Sequence, residues 1–159
     1  MKHMKTFVII ILTIFLSVLG CTDNEVEMNR RDYNIKNNTD NIIDITFYDR
    51  GSGNVVTQTS QVLNPDDELS EKVEQTSNFD DSNSNAIFNA YLGDSVRIVF
   101  NQVKFLTYTF HPDSNEFSEP INRNIFRHSN YENLGNERYL FKITQQDYEN
   151  AEDCNGNCD

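Results

Sequence analysis

Ser95-Val96-Arg97-Ile98-Val99-Phe100, followed after Asn101-Gln102-Val103 by Lys104-Phe105-Leu106-Thr107-Tyr108-Thr109-Phe110, is the pair of segments that decides the fold. In the first, Val96, Ile98 and Phe100 fall on one face and Arg97 on the other. In the second, Leu106, Tyr108 and Phe110 stand opposite Phe105, Thr107 and Thr109. A period of two in β-branched and aromatic residues marks half-buried strands. Asn101-Gln102 supplies a turn, although it lacks the glycine favoured in tight two-residue hairpins. The pair therefore predicts a hairpin at the centre of a sheet.

Outward from this hairpin the same alternation recurs. Tyr33 and Ile35 mark a strand over Tyr33–Asn37, and Ile43, Ile45 and Phe47 mark one over Ile42–Tyr48, with Asp44 and Thr46 facing away. Between them Asn37-Asn38-Thr39-Asp40-Asn41 is dense in side chains that bond the local backbone, which predicts a hairpin joining the two. Val55 to Leu63 reads as a further strand after the Asp49–Asn54 turn. Leu69 to Gln75, with Leu69 and Val73 inward and many charges, reads as an edge strand. Asn64-Pro65-Asp66-Asp67-Glu68 separates these two, because proline cannot donate to a ladder.

Ala86 to Leu92 fits either a strand or a helical turn. From His111 to Gly135 the alternation stops, but Ile125 to Tyr131 carries enough apolar residues to pack onto the domain. Arg138 to Ile143 resumes it, and Thr144-Gln145-Gln146-Asp147 has the form of a capping box that opens a short helix to about Ala151. About seven short strands in roughly 110 residues, without alternating helices, predict a mainly β fold, two packed antiparallel sheets with a short C-terminal helix. A small β-barrel is the alternative.

The N-terminus has a basic start, Lys2 and Lys5, and an apolar run, Phe7 to Leu16 with one Thr, of the length of an export signal. As a helix, Phe7 to Gly20 rises only about 21 Å, short of a bilayer core. Val18-Leu19-Gly20-Cys21 resembles the lipobox of bacterial lipoproteins with a type II signal peptide. That resemblance implies cleavage before Cys21, diacylglycerol on its sulfur and a further acyl chain, palmitate-like, on its amine. Several chains on one residue give the stable anchoring that a single chain does not. Asp23, Glu25 and Glu27 resemble the acidic surface-export signals of Bacteroidota lipoproteins, which implies the outer membrane, on its periplasmic or surface face.

The wider pattern is similar to small flavobacterial lipoproteins. Its pieces are Leu19-Gly20-Cys21, Tyr33 to Thr39, Ile45-Thr46-Phe47-Tyr48, Gly93 to Ile98, and Tyr139 to Thr144 with Asp147-Tyr148 and Ala151. The resemblance implies an immunoglobulin-like or similar β-sandwich and carries over no catalytic residue. The expected organisation is a signal peptide over 1–20, an acidic tether over 21–32, a β-sandwich domain over 33–151 and a polar tail over 152–159.

The formal net charge is −12 for the whole chain and, without the Lys2 and Lys5 of the signal, −14 for the mature one. Such a surface repels phosphate backbones and anionic headgroups, which argues against nucleic acid and against peripheral adsorption. The lipid is then the means of membrane attachment.

With Cys21 used by lipid, Cys154 and Cys158 remain as a pair, and export places them where disulfides persist. Three intervening residues, Gly156 among them, allow the Cα separation of about 4.4–6.8 Å that a disulfide needs. Asp153, Asn155, Asn157 and Asp159 echo half of a calcium loop but lack its distal glutamate, and Asp80-Asp81-Ser82 lacks the spacing altogether. Both are weak metal candidates, and no cofactor is implied.

Catalytic signals are thin. Beyond residue 20 only His111 and His128 occur, neither in a His-Glu-x-x-His pattern. Ser129 beside His128 does not make a triad, and no Gly-x-Ser-x-Gly appears. The aromatics that could serve a binding site are Tyr108, Phe117, Phe126 and Tyr131, each of a type more often found in a core than in a site. The functional expectation is a non-catalytic binding or structural accessory module of the envelope, with a protein or saccharide partner. A small hydrolase acting on saccharide or peptide is the alternative, and a groove with convergent polar groups would favour it.

Overall fold

A computed structural model describes residues 28–49, 54–55, 61–79, 85–91, 93–111, 114 and 116–158. The expected signal peptide, Cys21, the expected tether as far as Glu27, the middle of the expected Val55–Leu63 strand, Asp80-Asp81-Ser82 and Asp159 lie outside the described residues. Within them the strands are β1 (Asn29–Asn38), β2 (Ile43–Asp49), β3 (Asn54–Val55), β4 (Gln61–Leu63) and β5 (Glu68–Gln75). After the helix α1 (Asn85–Tyr91) come β6 (Ser95–Phe100), β7 (Lys104–His111), β8 (Glu116–Phe117), β9 (Glu132–Gly135) and β10 (Arg138–Thr144). The helix α2 (Gln145–Asn150) and β11 (Glu152–Asp153) close the fold. They form a β-sandwich of two sheets with no closed barrel. One sheet has the order β5-β1-β10-β9. The other runs β11-β7-β6-β2-β3, with β4 sharing the β2 edge and β8 the β7 edge.

The β6–β7 hairpin stands as its alternation predicts, with register from Ser95↔Thr109 to Phe100↔Lys104 and β2 on the other side of β6. Its turn needs no glycine. Asn101 and Gln102 adopt φ of 47° and 59°, and the Val103 N–H donates to the Phe100 carbonyl at 2.9 Å. Glycine is needed just ahead of β6 instead. A Cβ on Gly93 would lie 2.8 Å from the Tyr48 carbonyl oxygen, the same oxygen that accepts from the Asp94 N–H.

The first two strands do not form the expected hairpin. β1 and β2 belong to different sheets, and the Asn-rich segment between them is a corner. Its centre is the fully buried Asn37. The Asn37 amide donates to the carbonyls of Asn41 (2.8 Å) and Leu63 (3.0 Å), and its oxygen accepts from the Thr39 N–H and hydroxyl. These bonds tie β1 to β4 across the two layers and satisfy the corner's backbone groups, which burial would otherwise leave unpaired. Tyr33 and Ile35 then face Ile43, Ile45 and Phe47 across one core.

β1 pairs instead with β5, antiparallel, and with β10, parallel, in register from Asp32↔Arg138 to Asn38↔Thr144. This parallel pair departs from the all-antiparallel expectation and joins the two ends of the domain at the middle of a sheet. β1 also begins before Tyr33. Asn29 to Asp32, expected in the tether, are paired strand, because the Arg31 guanidinium lies over the rings of Phe79 (4.5 Å) and Tyr139 (5.1 Å) and bonds Glu137. An arginine whose stem is buried and whose charge sits on aromatic faces serves as an inward residue.

Aromatic rings fill the core. Tyr91 of α1 stacks on Phe47 at 4.5 Å and donates its hydroxyl to the Tyr33 carbonyl at 3.0 Å. The segment between β8 and β9, with single 3-10 turns at Ile121–Arg123 and His128–Asn130, buries Ile125, Phe126 and Tyr131, so the expected packing of Ile125 to Tyr131 holds. Burial pushes the Tyr91, Tyr108 and Tyr131 phenols well above their ordinary range. At the start of α2 the capping box is present: the Asp147 carboxylate accepts from the Thr144 N–H and hydroxyl. Arg123 grips the same carboxylate and the Lys142 carbonyl, which fixes the long connection to the helix.

Candidate functional site

The antiparallel pairing of β7 with β8 sets Phe110 opposite Phe117 and His111 opposite Glu116. Beyond the last strand pair, the Ser118 N–H donates to the Thr109 carbonyl, and the Thr109 N–H returns a bond to the Ser118 hydroxyl oxygen at 2.9 Å. The buried Asn124 locks this end, its amide donating to the carbonyls of Thr109 and Ser118 and to the Ser118 hydroxyl oxygen. An open cleft of about 540 Å³ results, lined by Thr109, His111, Glu116, Phe117, Ser118 and Ile121.

Its floor is aromatic and its groups are varied. Phe117 stacks on Phe110 at 5.1 Å, and Phe110 in turn lies beside Phe126 of the core at 6.3 Å. Since the Ser118 oxygen already accepts from two N–H groups, its own proton is what it can offer a ligand. Those two bonds also draw electron density from the oxygen and make it a poor nucleophile. With the Glu116 carboxylate as acceptor and Phe117 and Ile121 as apolar surface, the cleft suits a small polar molecule with one apolar face.

Of the four aromatics singled out from sequence, Phe117 alone lines this cleft. Tyr108, Phe126 and Tyr131 are buried core residues, the commoner role for such aromatics. Large aromatics dominate cores as readily as sites, and only their faces tell the two apart. His111 is in the cleft. His128 is not, since its Nδ1 meets the Tyr33 hydroxyl at 3.1 Å and its ring packs on Tyr139. Glu116 and Ser118, in a stretch without alternation, gave no signal in the sequence.

The structure joins Cys154 and Cys158 in a disulfide with Cα atoms 4.9 Å apart, and both cysteines are buried against Val99 and Phe105 on the outer face of the larger sheet. β11 pairs with β7, and the Cys154 N–H donates to the Val103 carbonyl. Asp153, Asn155 and Asn157 are exposed, with the Asn155 amide bonded to the Asp153 carbonyl. Among the described residues no three His, Cys, Asp or Glu side chains converge to hold a metal ion, and no helix is long and apolar enough to cross a membrane. Comparison with protein-family models, with curated proteins and with solved structures finds no match to this chain.

Proposed function

We propose that the chain is an exported lipoprotein, held to the envelope membrane through acylated Cys21, whose β-sandwich is a non-catalytic binding or structural accessory module. The observation that carries this reading is the N-terminal sequence itself, a basic start and a short apolar run ending in Leu19-Gly20-Cys21. The Cys154–Cys158 disulfide supports it, because such bonds form and persist in compartments outside the reducing cytosol. The outer membrane is the membrane proposed, from the acids that follow Cys21.

With β1 beginning at Asn29, residues 22–28 would reach at most about 25 Å when extended, so the proposed anchor would hold the start of β1 close to the bilayer.

Labelling with an alkyne-bearing palmitate in a bacterium that processes lipoproteins tests the anchor. The wild-type chain is expected to take up label and shorten by the signal peptide. Cys21→Ala is expected to take up none and to remain full-length, with its domain folded. Equal labelling of both proteins would contradict the proposal.

A further inference from the structure

At the end of the sandwich opposite the cleft, three large aliphatic side chains stand exposed on one outer sheet face: Ile42 (47%), Val62 (60%) and Val103 (51%). The sheet register brings them together. Val62, Asp44, Val99, Phe105 and Glu152 follow one another across β4, β2, β6, β7 and β11 as a single row. Ile42 and Asn101 exchange two bonds one step further along, the Asn101 N–H donating to the Ile42 carbonyl and the Ile42 N–H to Asn101 Oδ1. Val103 continues that second row, its carbonyl holding the Cys154 N–H. Adjacent strands lie about 4.8 Å apart, so the two rows make one surface. Its middle, Val99 and Phe105, is covered by the disulfide ring, and the aliphatic flanks are left bare.

Charge selects the occupant. Asp44 and Glu152 interleave with the aliphatic row, and Asp40 adjoins Ile42 in the sequence. The neighbouring cations are already engaged. The Arg97 guanidinium lies on the Phe105 ring at 4.2 Å, and Lys104 Nζ is directed to the carbonyls of Tyr148 and Glu149 at the end of α2. A second copy would set a net −12 against itself, and an anionic lipid surface would be repelled in the same way. A basic segment with aliphatic side chains answers both the bare valines and the carboxylates between them.

We infer that this face docks a segment of a partner protein in which Lys or Arg alternates with aliphatic residues. The patch and its charges stand on the fold alone. Its orientation rests on the anchor proposed above, since a chain tethered through Cys21 enters β1 at the far end and turns this face away from the bilayer.

The test uses the full chain in detergent with methyl-labelled Ile and Val, titrated with a short synthetic peptide alternating Lys and Leu. The Ile42, Val62 and Val103 methyl signals should shift saturably, while Ile35 and Ile45 in the core stay in place. Val62→Lys with Val103→Lys should weaken binding by about tenfold or more, as expected when central interface contacts are lost. A matched Glu-Leu peptide and a Lys-Ser peptide should each bind far more weakly. Shifts scattered over the acidic surface, equal binding by the Lys-Ser peptide, or unchanged affinity in the double variant would overturn the inference. So would movement of the same methyls with protein concentration alone, which would assign the face to self-association. None of these results depends on acylation, so failure here leaves the palmitate labelling of Cys21 to stand or fall separately.

Discussion

Asn37 spends all of its hydrogen-bonding capacity inside the protein. Its amide holds Asn41 and Leu63, and its oxygen holds both groups of Thr39, at a point with no solvent exposure. In Asn37→Ala the Leu63 carbonyl and the Thr39 groups, which are buried, lose bonds that water cannot replace, at about 1–3 kcal/mol for each group left unpaired. The variant is expected to unfold at least about 2 kcal/mol more easily in urea, with an unchanged dependence on denaturant. A loss within the error of the measurement would mean that the corner is held by other contacts. Asn124 does the same work at the other end, where it joins β7, Ser118 and the Phe126 N–H. Two buried asparagines thus fix two of the places where the chain changes layer or direction.

Elements were legible where local pattern and tertiary partner agree. The β6–β7 hairpin, the inward Leu69 and Val73 of edge strand β5, and the capped α2 all follow from alternation, charge or capping chemistry written within a few residues. The β1–β2 connection departs from the hairpin its sequence suggests because an Asn-rich turn bonds its own backbone equally well in a hairpin and in a corner between sheets. What separates the two is Leu63, distant in sequence. β9 was not legible, since all four of its residues are exposed and its turn rests on Asn136 and Glu137 in left-handed conformations, without an apolar face to mark it. The parallel β1–β10 pair lies beyond local reading, because no nearby residue specifies which distant strand completes a sheet. The cleft shared that fate: Phe117 carried a signal, while Glu116 and Ser118 gained meaning only from the β7–β8 pairing.

Between the two sheets the described residues enclose an aromatic core. That core has a consequence for pH. Tyr91, Tyr108 and Tyr131 hold neutral phenols whose ionisation burial opposes. Below about pH 10 neither folded nor unfolded chains ionise these groups, and they add no pH dependence. Above it the unfolded chain releases protons that the folded chain retains, so stability falls as pH rises from the ordinary tyrosine value toward the raised ones. In an alkaline titration followed by ultraviolet absorbance and circular dichroism, these three of the seven tyrosines should ionise only as the sheets unfold. Ionisation of all seven with the sheets intact would contradict the packing described. The proposed anchor and the tail disulfide would share one chemical origin, the proposed passage out of the cytosol. The direct measurement is the intact mass of the protein recovered from envelope membranes without reductant. The account predicts a chain beginning at Cys21, heavier by its acyl groups and lighter by the two hydrogens lost from Cys154 and Cys158. A chain that keeps residues 1–20, or one that begins at Cys21 without lipid, would contradict it.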